Sequence, residues 1–492
     1  MSVDTGEAKK TQATLLVTQA MGTPGSELFH SPEGDTFASV VVNRHREIYP
    51  IKSSAFAAHL RRLFFQTFAK APSASVVKDA LNMAEAIAVD SASPVHPVSL
   101  RVGEDDDGAL WLDLCDAAWL AVRITPEGWR IVENPNVRFR RAPGALPLPL
   151  PAEGGSTPYE ILRPFLNFAS EDDYCLALSW LASAYRPCGP YSILALHGEQ
   201  GTAKSTVSRT LRCLIDPYKA PLRTAPRNEE DLQIAAANSH IVAYDNISKL
   251  ESWLSDALCR LATGGGMSVR TLFTNTEETV FDAMRPLLLN GIPDVGTKGD
   301  FAERSVILYL PQIPPEKRMR EKDYWSNFRK VEPYILGALL TAISGGLRDR
   351  DCVRLLHAPR MSDFAHWAVA MEKPLGFKSG TFLRAYAANS TEATSIVLDD
   401  VVAQAILRFA RNQKDWVGSA SELLREVLNS LTEYEKAEKS LPKSPIAFSN
   451  LCKRLAPGLR TMGADLKFGR REPGTGRRLI EVVYRETTAE AR

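Results

Sequence analysis

The segment from Tyr191 to Ser205, YSILALHGEQGTAKS, restricts the fold of this 492-residue chain more than any other part of the sequence. An apolar run typical of a β-strand leads directly into a glycine-containing loop, and a helical pattern begins near Lys204. Glycines let backbone N–H groups turn inward toward an anion, and the following helix directs its positive N-terminal end at the same point. The segment therefore predicts a phosphate-binding loop between a buried strand and a helix.

This loop supplies the candidate nucleotide-binding residues. In loops of this type the lysine, here Lys204, reaches the β- and γ-phosphates, and the hydroxyl of Ser205 binds a metal, so we expect ATP and Mg²⁺. Ala203 stands where the motif usually has its second glycine. The alternative is an ordinary glycine-rich turn with a surface lysine, and the order of strand, loop and helix argues against it. The candidates are Gly198, Glu199, Gln200, Gly201, Thr202, Ala203, Lys204, Ser205 and Thr206.

Three polar residues stand at the ends of later apolar runs. Asp245 ends HIVAYD, 41 residues after Lys204, where a second ligand of Mg²⁺ is expected. Asn290 ends RPLLLN and suits a role in orienting a water near the γ-phosphate. Arg304 opens RSVILYL and could reach the nucleotide of a neighbouring subunit. The alternatives are a turn cap for Asn290 and a solvated charge for Arg304.

Changes of pattern along the chain predict three units. Short apolar strands spaced by helices in the central part indicate an α/β domain with a buried parallel sheet. The residues before it alternate between strand-like and helical runs, and a stretch rich in proline and glycine separates the two. The expected divisions are a disordered tail at 1–12, an α+β domain of unknown role at 13–141, a linker at 142–156, the P-loop domain with a helical lid at 157–390, and a small domain at 391–492.

The last hundred residues have a pattern of three helices followed by two β-like runs, which is the element order of a winged helix. Between residues 443 and 478 nine basic residues face two acidic ones, a net charge of +7, so the rest of the chain carries −6 of the overall +1. A compact basic module favours DNA as a partner, and a protein-binding winged helix is the alternative. The candidate DNA-binding residues are Lys453, Arg454, Arg470, Arg471, Arg477 and Arg478.

Composition excludes several classes of protein. Hydrophobic residues make up 45% and charged residues 24% of the chain, which excludes a mainly disordered protein. The seven cysteines include no Cys-x-x-Cys pair, which argues against a structural zinc site or a disulfide framework. No signal-peptide pattern is present, and no apolar run approaches the roughly 18 residues that cross a bilayer. We therefore expect a cytoplasmic protein without a membrane partner.

Residues from about 157 to 350 resemble the superfamily 3 helicases, which are AAA+ ATPases of viruses, phages and mobile elements. The loop GEQGTAKS is also similar to that of minichromosome-maintenance helicases, where alanine before the lysine occurs. The segment LATGGGMSVRTLF resembles the motif that leads into a pore hairpin in the superfamily. The resemblance implies an ATP-hydrolysing DNA helicase, a homo-oligomer with six subunits in a ring, and a primase or another replication protein as a partner. It gives Lys204, Asp245, Asn246, Asn290 and Arg304 the catalytic positions.

The chain departs from this pattern at two places. Asn246 stands where a second acidic residue usually polarises the attacking water, and an amide accepts no proton. Asp256 is a candidate replacement, with a solvent-facing helix position as the alternative. The expected hairpin tip at 274–278 is acidic, with Arg270 as the nearest basic residue. Two other functions therefore stay open: an ATP-gated DNA-binding switch, and an ATPase or scaffold in phage defence that unwinds no DNA.

Overall fold

The computed structural model of the chain describes residues 11–265, 267–270, 278–281, 283–291, 299–397, 401–432, 435, 441–442, 444–472, 474 and 476–485. Within these residues the protein is a mixed α/β structure that contains a parallel sheet, as the sequence predicts. No helix among them combines the length and the apolar character that crossing a membrane requires.

The N-terminal unit begins with a three-stranded antiparallel sheet covered by three helices. Strand β1 pairs with β2, and β2 pairs with β3. Ser53 and Ser73 cap helices α2 and α3 by accepting a hydrogen bond from the backbone N–H three residues later, which explains where these helices begin. The elements are α1 (Gln12–Ala20), β1 (Glu27–His30), β2 (Thr36–Val42), β3 (His45–Pro50), α2 (Ser54–Phe68) and α3 (Ala74–Ala88).

A second sheet follows, in which β5, β6, β7 and β8 form an antiparallel meander. The turn before β6 is organised by Asp105, whose carboxylate accepts hydrogen bonds from the backbone of Ala109 and the indole of Trp111. Buried residues of this meander belong to the same hydrophobic core as the central domain. The strands of the meander are β5 (Val102–Glu104), β6 (Leu110–Asp113), β7 (Ala121–Thr125) and β8 (Gly128–Val132). A separate parallel pair is formed by β4 (Val98–Ser99) and β9 (Arg138–Phe139).

Residues 142–156 contain no helix or strand but are packed against both neighbouring units. Leu148 is buried, and its N–H donates to the backbone of Leu114. The N–H of Leu146 donates to Pro217, and that of Ala152 donates to Pro333. The stretch that we expected to be a linker is therefore held against the neighbouring units by backbone hydrogen bonds and a buried leucine.

The central domain is built on a four-stranded parallel sheet in the order β11–β14–β10–β15. Strand β10 lies in the middle and pairs with β14 and β15. Its residues alternate between two cores: Leu194 and Leu196 belong to one, and Ile193 and Ala195 to the other. The four strands are β10 (Ile193–His197), β11 (Val242–Tyr244), β14 (Leu287–Asn290) and β15 (Ser305–Tyr309), and a short antiparallel pair is formed by β12 (Met267–Arg270) and β13 (Glu278–Phe281).

Helices cover both faces of this sheet. Helices α5 to α10 lie next to strands of the sheet along the chain, whereas α4, α11 and α12 do not. The longest, α10, packs against α11 and against β7 and β8 of the meander. The helices are α4 (Pro158–Leu162), α5 (Glu171–Ser183), α6 (Lys204–Cys213), α7 (Glu229–Asn238), α8 (Ser252–Thr263), α9 (Gly299–Glu303), α10 (Glu321–Asp349), α11 (Ser362–Leu375) and α12 (Thr381–Val397). Helix α12 crosses residue 390, where we expected a domain boundary.

The described residues of the C-terminal unit include helices α13, α14 and α15 and a three-stranded antiparallel sheet in the order β16–β18–β17. The sequence pattern did not indicate β16, which pairs with β18 and adds a third strand to the expected hairpin. Helix α15 packs against α9 and α12, so this unit shares a hydrophobic core with the central domain. The elements are α13 (Val401–Gln413), β16 (Asp415–Ser419), α14 (Ala420–Ser430), α15 (Pro445–Thr461), β17 (Ala464–Arg471) and β18 (Arg478–Tyr484).

Candidate functional site

The glycine-containing loop connects the end of β10 to the start of α6. Gly198 has φ +145°, and a Cβ there would lie 2.7 Å from the carbonyl oxygen of Leu310, so no other residue fits without movement. Gly201 has φ +86°. Ala203 adopts the left-handed conformation at φ 63° and ψ 27°, directly before the first residue of α6. Alanine thus occupies the conformation that the usual glycine would adopt, at a cost of about 1–2 kcal/mol.

Lys204 folds back over this loop. Its ammonium group donates to the carbonyl oxygen of Gly198 at 2.7 Å and to that of Glu199 at 2.8 Å. The side chain therefore lies across the mouth of the loop, and its charge is added to that of the N-terminal end of α6. An anion held by the loop would meet both of these positive groups.

Ser205 and Asp245 meet at the carboxyl edge of the parallel sheet. The Ser205 hydroxyl donates to Oδ1 of Asp245 at 2.9 Å. Asp245 directly follows β11, and its N–H donates to the carbonyl oxygen of Arg223. The backbone of Arg223 forms a parallel bridge with Tyr244 in that strand. A hydroxyl and a carboxylate are the oxygen ligands that Mg²⁺ prefers, and nucleotide phosphates and water usually complete its six positions. These two residues therefore fit a Mg²⁺ ion that is held jointly with a nucleotide.

Among the described residues no group of three or more histidine, cysteine, aspartate and glutamate side chains is arranged to hold a metal ion.

Asn290 lies between the loop and Asp245 in the sheet, because β14 is the strand between β10 and β11. Its side chain is 1% exposed. Oδ1 accepts from the N–H of Asn246 at 2.8 Å, and Nδ2 donates to the Ser208 hydroxyl on α6 at 3.1 Å. The amide therefore joins the residue after Asp245 to the helix that follows the loop.

Asn246 follows Asp245 in the left-handed conformation, with φ 52°. A Cβ on Gly291, which has φ +88°, would lie only 2.8 Å from the Cα of Asn246. The two loops at the ends of β11 and β14 are thus in close contact, and the close approach requires glycine at position 291.

Arg304 lies at the opposite edge of the sheet. It precedes β15, whose first residue is paired with Ile193 and whose last residue is paired with His197 beside the loop. At about 3.3 Å per residue, a five-residue strand puts about 16 Å between this position and the loop. The guanidinium is ion-paired with Asp300, which also contacts Arg360 at 2.9 Å. Arg304 therefore does not complete the site of its own chain.

The resemblance also drew attention to Asp256, as a candidate replacement for Asn246, and to the pore hairpin near Arg270. Asp256 is exposed on α8, which agrees with the solvent-facing alternative. Of the expected hairpin tip at 274–278, residues 274–277 lie outside the described residues and Glu278 begins β13. Of Arg270 only the backbone, in β12, is described.

A segment that the sequence did not indicate packs over the loop. The N–H of Leu310 donates to the carbonyl oxygen of His197, and Gln312 donates to the carboxylate of Glu199. The amide of Asn167 donates to the carbonyl oxygens of Thr202 at 3.0 Å and of Pro311 at 2.7 Å. Each of these residues is far from the loop in sequence, and no local pattern distinguishes it, so only the folded chain brings them together.

His197 lies beneath the loop as the last residue of β10. It is 6% exposed, and its ring is 5.2 Å from that of Tyr309. Burial and the positive charge of Lys204 lower the pKa of His197 to about 4. Its imidazole is therefore neutral near pH 7, and it adds no positive charge to the loop.

The C-terminal unit presents basic side chains on its hairpin and on α15. Lys453, Arg470, Arg471 and Arg478 are exposed, whereas Arg477 is ion-paired with Glu422 at 3.1 Å. Of Arg454 the structure describes only the helical backbone. Five of the six candidate DNA-binding residues are thus exposed to solvent, and one of these, Arg477, is also paired with a carboxylate.

The comparison with solved structures gives matches at low sequence identity and low TM-score. An apo structure of the C-terminal region of NrS-1 is 11% identical, with a TM-score of 0.42, and the match covers 97% of this chain and 100% of that chain. A structure described as "SCCmec type IV Cch - active helicase" is 9% identical, with a TM-score of 0.45, and the match covers 93% of this chain and 92% of that one.

Family models match two regions of the chain in order. Residues 160–393 match the model described as "Actinomycete integrative conjugative element replication protein", and residues 402–491 match "AICE RepA C-terminal domain". No curated protein matches the chain in sequence. The first region contains the loop, Asp245, Asn290 and Arg304, and the second contains the basic hairpin. Over both regions the chain is therefore similar to replication proteins of actinomycete integrative conjugative elements, which supports a replication protein of a mobile element.

Proposed function

We propose that this protein is a Mg²⁺-dependent AAA+ ATPase that forms a ring and acts as a DNA helicase in the replication of a mobile element. The reaction is hydrolysis of ATP to ADP and phosphate. Lys204 holds the β- and γ-phosphates, while Ser205 and Asp245 bind the metal. Asn290 orients the attacking water, and Arg304 acts on the nucleotide of the neighbouring subunit.

The observation that carries the proposal is the 2.9 Å hydrogen bond between the Ser205 hydroxyl and Asp245. These residues are 40 positions apart, yet both lie at the carboxyl edge of the parallel sheet, which is where such sheets bind ligands. The strand that carries Asn290 lies between the strands that lead to them. The arrangement supplies a phosphate loop, a metal ligand and a polar amide along a single edge, as phosphoryl transfer requires.

Hydrolysis needs one group that activates water and one that orients it. The residue after Asp245 is not suited to activating water. Asn246 accepts no proton, so the roughly 10²–10⁴-fold gain from a general base is absent at that position. Asn290 uses Oδ1 and one N–H of Nδ2 in hydrogen bonds, so its role in orienting the water falls to the second N–H. The missing general base leads us to expect slow turnover. Slow turnover would favour the second candidate function, a switch in which bound ATP assembles the ring on DNA without unwinding it.

The position of Arg304 supports a ring. Its guanidinium lies at the edge of the sheet opposite the loop, so it serves a nucleotide only across a subunit boundary. A closed ring in which every subunit supplies this arginine to the next is a head-to-tail assembly. We expect six subunits by the resemblance to superfamily 3 helicases.

The C-terminal unit has the element order of a winged helix, with α13, β16, α14 and α15 followed by the hairpin of β17 and β18. In that arrangement α15 would enter the major groove of DNA, and the hairpin would contact the phosphates. The exposed stripe on α15 includes Ile446, Asn450 and Lys453, which lie about one helical turn apart. We therefore assign DNA binding to this surface, and a primase or another replication protein is the further partner.

An ATPase assay with and without single-stranded DNA, combined with strand displacement, tests the function. Lys204→Ala should abolish turnover, and Lys219→Ala, which changes an exposed lysine outside the loop, should not. DNA-stimulated turnover with displacement supports the helicase. Tight ATP binding with negligible turnover supports the switch, and turnover that ignores DNA supports the defence scaffold. Unaltered turnover in Lys204→Ala would remove the loop from the proposal.

Mixing experiments test the shared site. Arg304→Ala should bind ATP but not hydrolyse it, because an arginine supplied across a boundary contributes about 10³–10⁵-fold to turnover. Subunits with Lys204→Ala retain Arg304, so adding them should restore turnover to the Arg304→Ala subunits. No rescue would contradict a shared site.

Salt titrations test the basic hairpin. Each neutralised phosphate contributes about −0.9 to the slope of log affinity against log salt concentration. Changing Arg470, Arg471 and Arg478 to glutamine should flatten the slope, whereas the same change at Arg348, which is ion-paired at the end of α10, should not. An unchanged slope would assign DNA contact elsewhere.

A further inference from the structure

Arg318 is an exposed arginine beside the phosphate loop for which neither the sequence motif nor the proposal above has a role. Its Nη2 lies 3.8 Å from the position that a Cβ on Gly201 would occupy. Gly201 lies three residues before Lys204, so this guanidinium lies against the loop that is proposed to hold the phosphates.

The backbone before Arg318 is tied to the loop. After β15, the N–H of Leu310 donates to His197, and Gln312 donates to the Glu199 carboxylate. The amide of Asn167 donates to carbonyl oxygens of both Pro311 and the loop. The Nε of Arg318 donates to the carbonyl oxygen of Ile313 at 3.2 Å. That bond orients the side chain back along its own segment, toward the loop.

The charge of Arg318 is not neutralised where it stands. No carboxylate is ion-paired with it among the residues that the structure describes, whereas Arg320 two positions on is paired with Asp323 at 2.6 Å. The Glu199 carboxylate accepts from Gln312. A guanidinium beside the loop that leads to Lys204 favours binding of an anion there, and its planar fork matches a phosphate with two parallel hydrogen bonds.

We infer that Arg318 contacts the phosphates of the nucleotide bound by its own chain, as a catalytic residue acting in cis. The inference rests on the proposed function, since it needs a nucleoside di- or triphosphate in the loop. It differs from the role of Arg304, which lies at the other edge of the sheet and acts on a neighbour. The site then receives one arginine from each of two subunits.

Binding of AMP-PNP and ADP with Mg²⁺ to the full chain, measured by calorimetry, tests this. A hydrogen bond to a charged group is lost in Arg318→Ala, so the affinity for AMP-PNP should fall about 10- to 100-fold. Arg318→Lys should restore part of it, because lysine keeps the charge but not the planar fork. Arg320→Ala is the matched control and should bind as the wild type does.

The outcomes separate this inference from the proposed function. A loss confined to AMP-PNP supports the contact and assigns it to the γ-phosphate, and a loss shared with ADP supports it and assigns it to the β-phosphate. If Lys204→Ala loses binding while Arg318→Ala stays within about threefold of wild type, the role of Arg318 is refuted and the loop assignment stands. If Lys204→Ala binds normally, the proposed function itself fails. Far-ultraviolet circular dichroism of each variant verifies the fold.

Discussion

Asp216 lies at the junction of the N-terminal unit and the central domain, three residues after α6 ends. It is 3% exposed, and its carboxylate accepts from Nε of Arg101 at 3.3 Å and from the N–H groups of His240 at 3.0 Å and Ile241 at 3.1 Å. The guanidinium of Arg212 is 3.8 Å away. Burial alone would raise the pKa of Asp216, but Arg101 and Arg212 hold it below its usual value.

Replacing Asp216 by asparagine keeps the size of the side chain and removes its charge. Arg101 and Arg212 are each at most 1% exposed, so both guanidinium groups would stay buried without a counter-charge. The NH₂ group of the asparagine would also lie against N–H donors to which a carboxylate oxygen of Asp216 now provides an acceptor. Breaking a buried pair in this way costs about 3–5 kcal/mol, and we expect a loss of that size in the free energy of unfolding.

Urea unfolding followed by circular dichroism and by tryptophan fluorescence measures this loss, with two probes because a chain of several units need not unfold in one step. Asp231→Asn on α7 is the control, since Asp231 pairs with the largely exposed Arg227 and water screens that pair. A variant Asp216→Asn that is no less stable than Asp231→Asn would refute the reasoning that this buried network joins the two units.

Three further variants test single features of the backbone and of burial. Ala203→Gly should keep ATPase activity and raise the thermal midpoint, because glycine adopts φ 63° without the roughly 1 kcal/mol strain of alanine; a lower midpoint would contradict this. Gly291→Ala should lower both the midpoint and ATP turnover, since its Cβ would lie 2.8 Å from the Cα of Asn246; unchanged turnover would show that the two loops move apart freely. Burial lowers the pKa of His240 to about 4, so stability is complete above the usual 6.5 and falls by up to about 3 kcal/mol as the pH drops toward 4. His240→Gln should be less sensitive to acid over that interval in thermal melts, and an equal sensitivity would assign the effect to other groups.

Much of the site follows from short stretches of sequence. A strand, a glycine loop and a helix are adjacent in the chain, so the conformation from Ile193 to Cys213 depends mainly on local preferences. Asp245 and Asn290 each end an apolar run, and the carboxyl ends of parallel strands meet at one edge of a sheet. The general position of both residues was therefore predictable, as was the mixed α/β class.

Other features depend on contacts between residues that are distant in sequence. The residues at 142–156 have the composition of a free linker, but buried contacts and hydrogen bonds hold them against the central domain. Residues 138–141 look like a solvated strand end, but Arg138 pairs with Glu27 and Arg141 with Asp113, both at 2.6 Å. The composition of a segment shows how polar it is. Which residues it pairs with depends on the distant parts of the chain that fold against it.

By itself, the sequence determined the order of strand, glycine-containing loop and helix, the ends of the neighbouring strands and the concentration of positive charge near the C-terminus. Each of these is carried by neighbouring residues whose backbone preferences and charges need no distant partner. Only the tertiary structure decided that Arg318 lies against Gly201, that Asn290 joins Asn246 to Ser208, and that α15 packs on α9. Those contacts depend on how strands and helices pack, because packing joins residues more than 40 positions apart that share no local pattern.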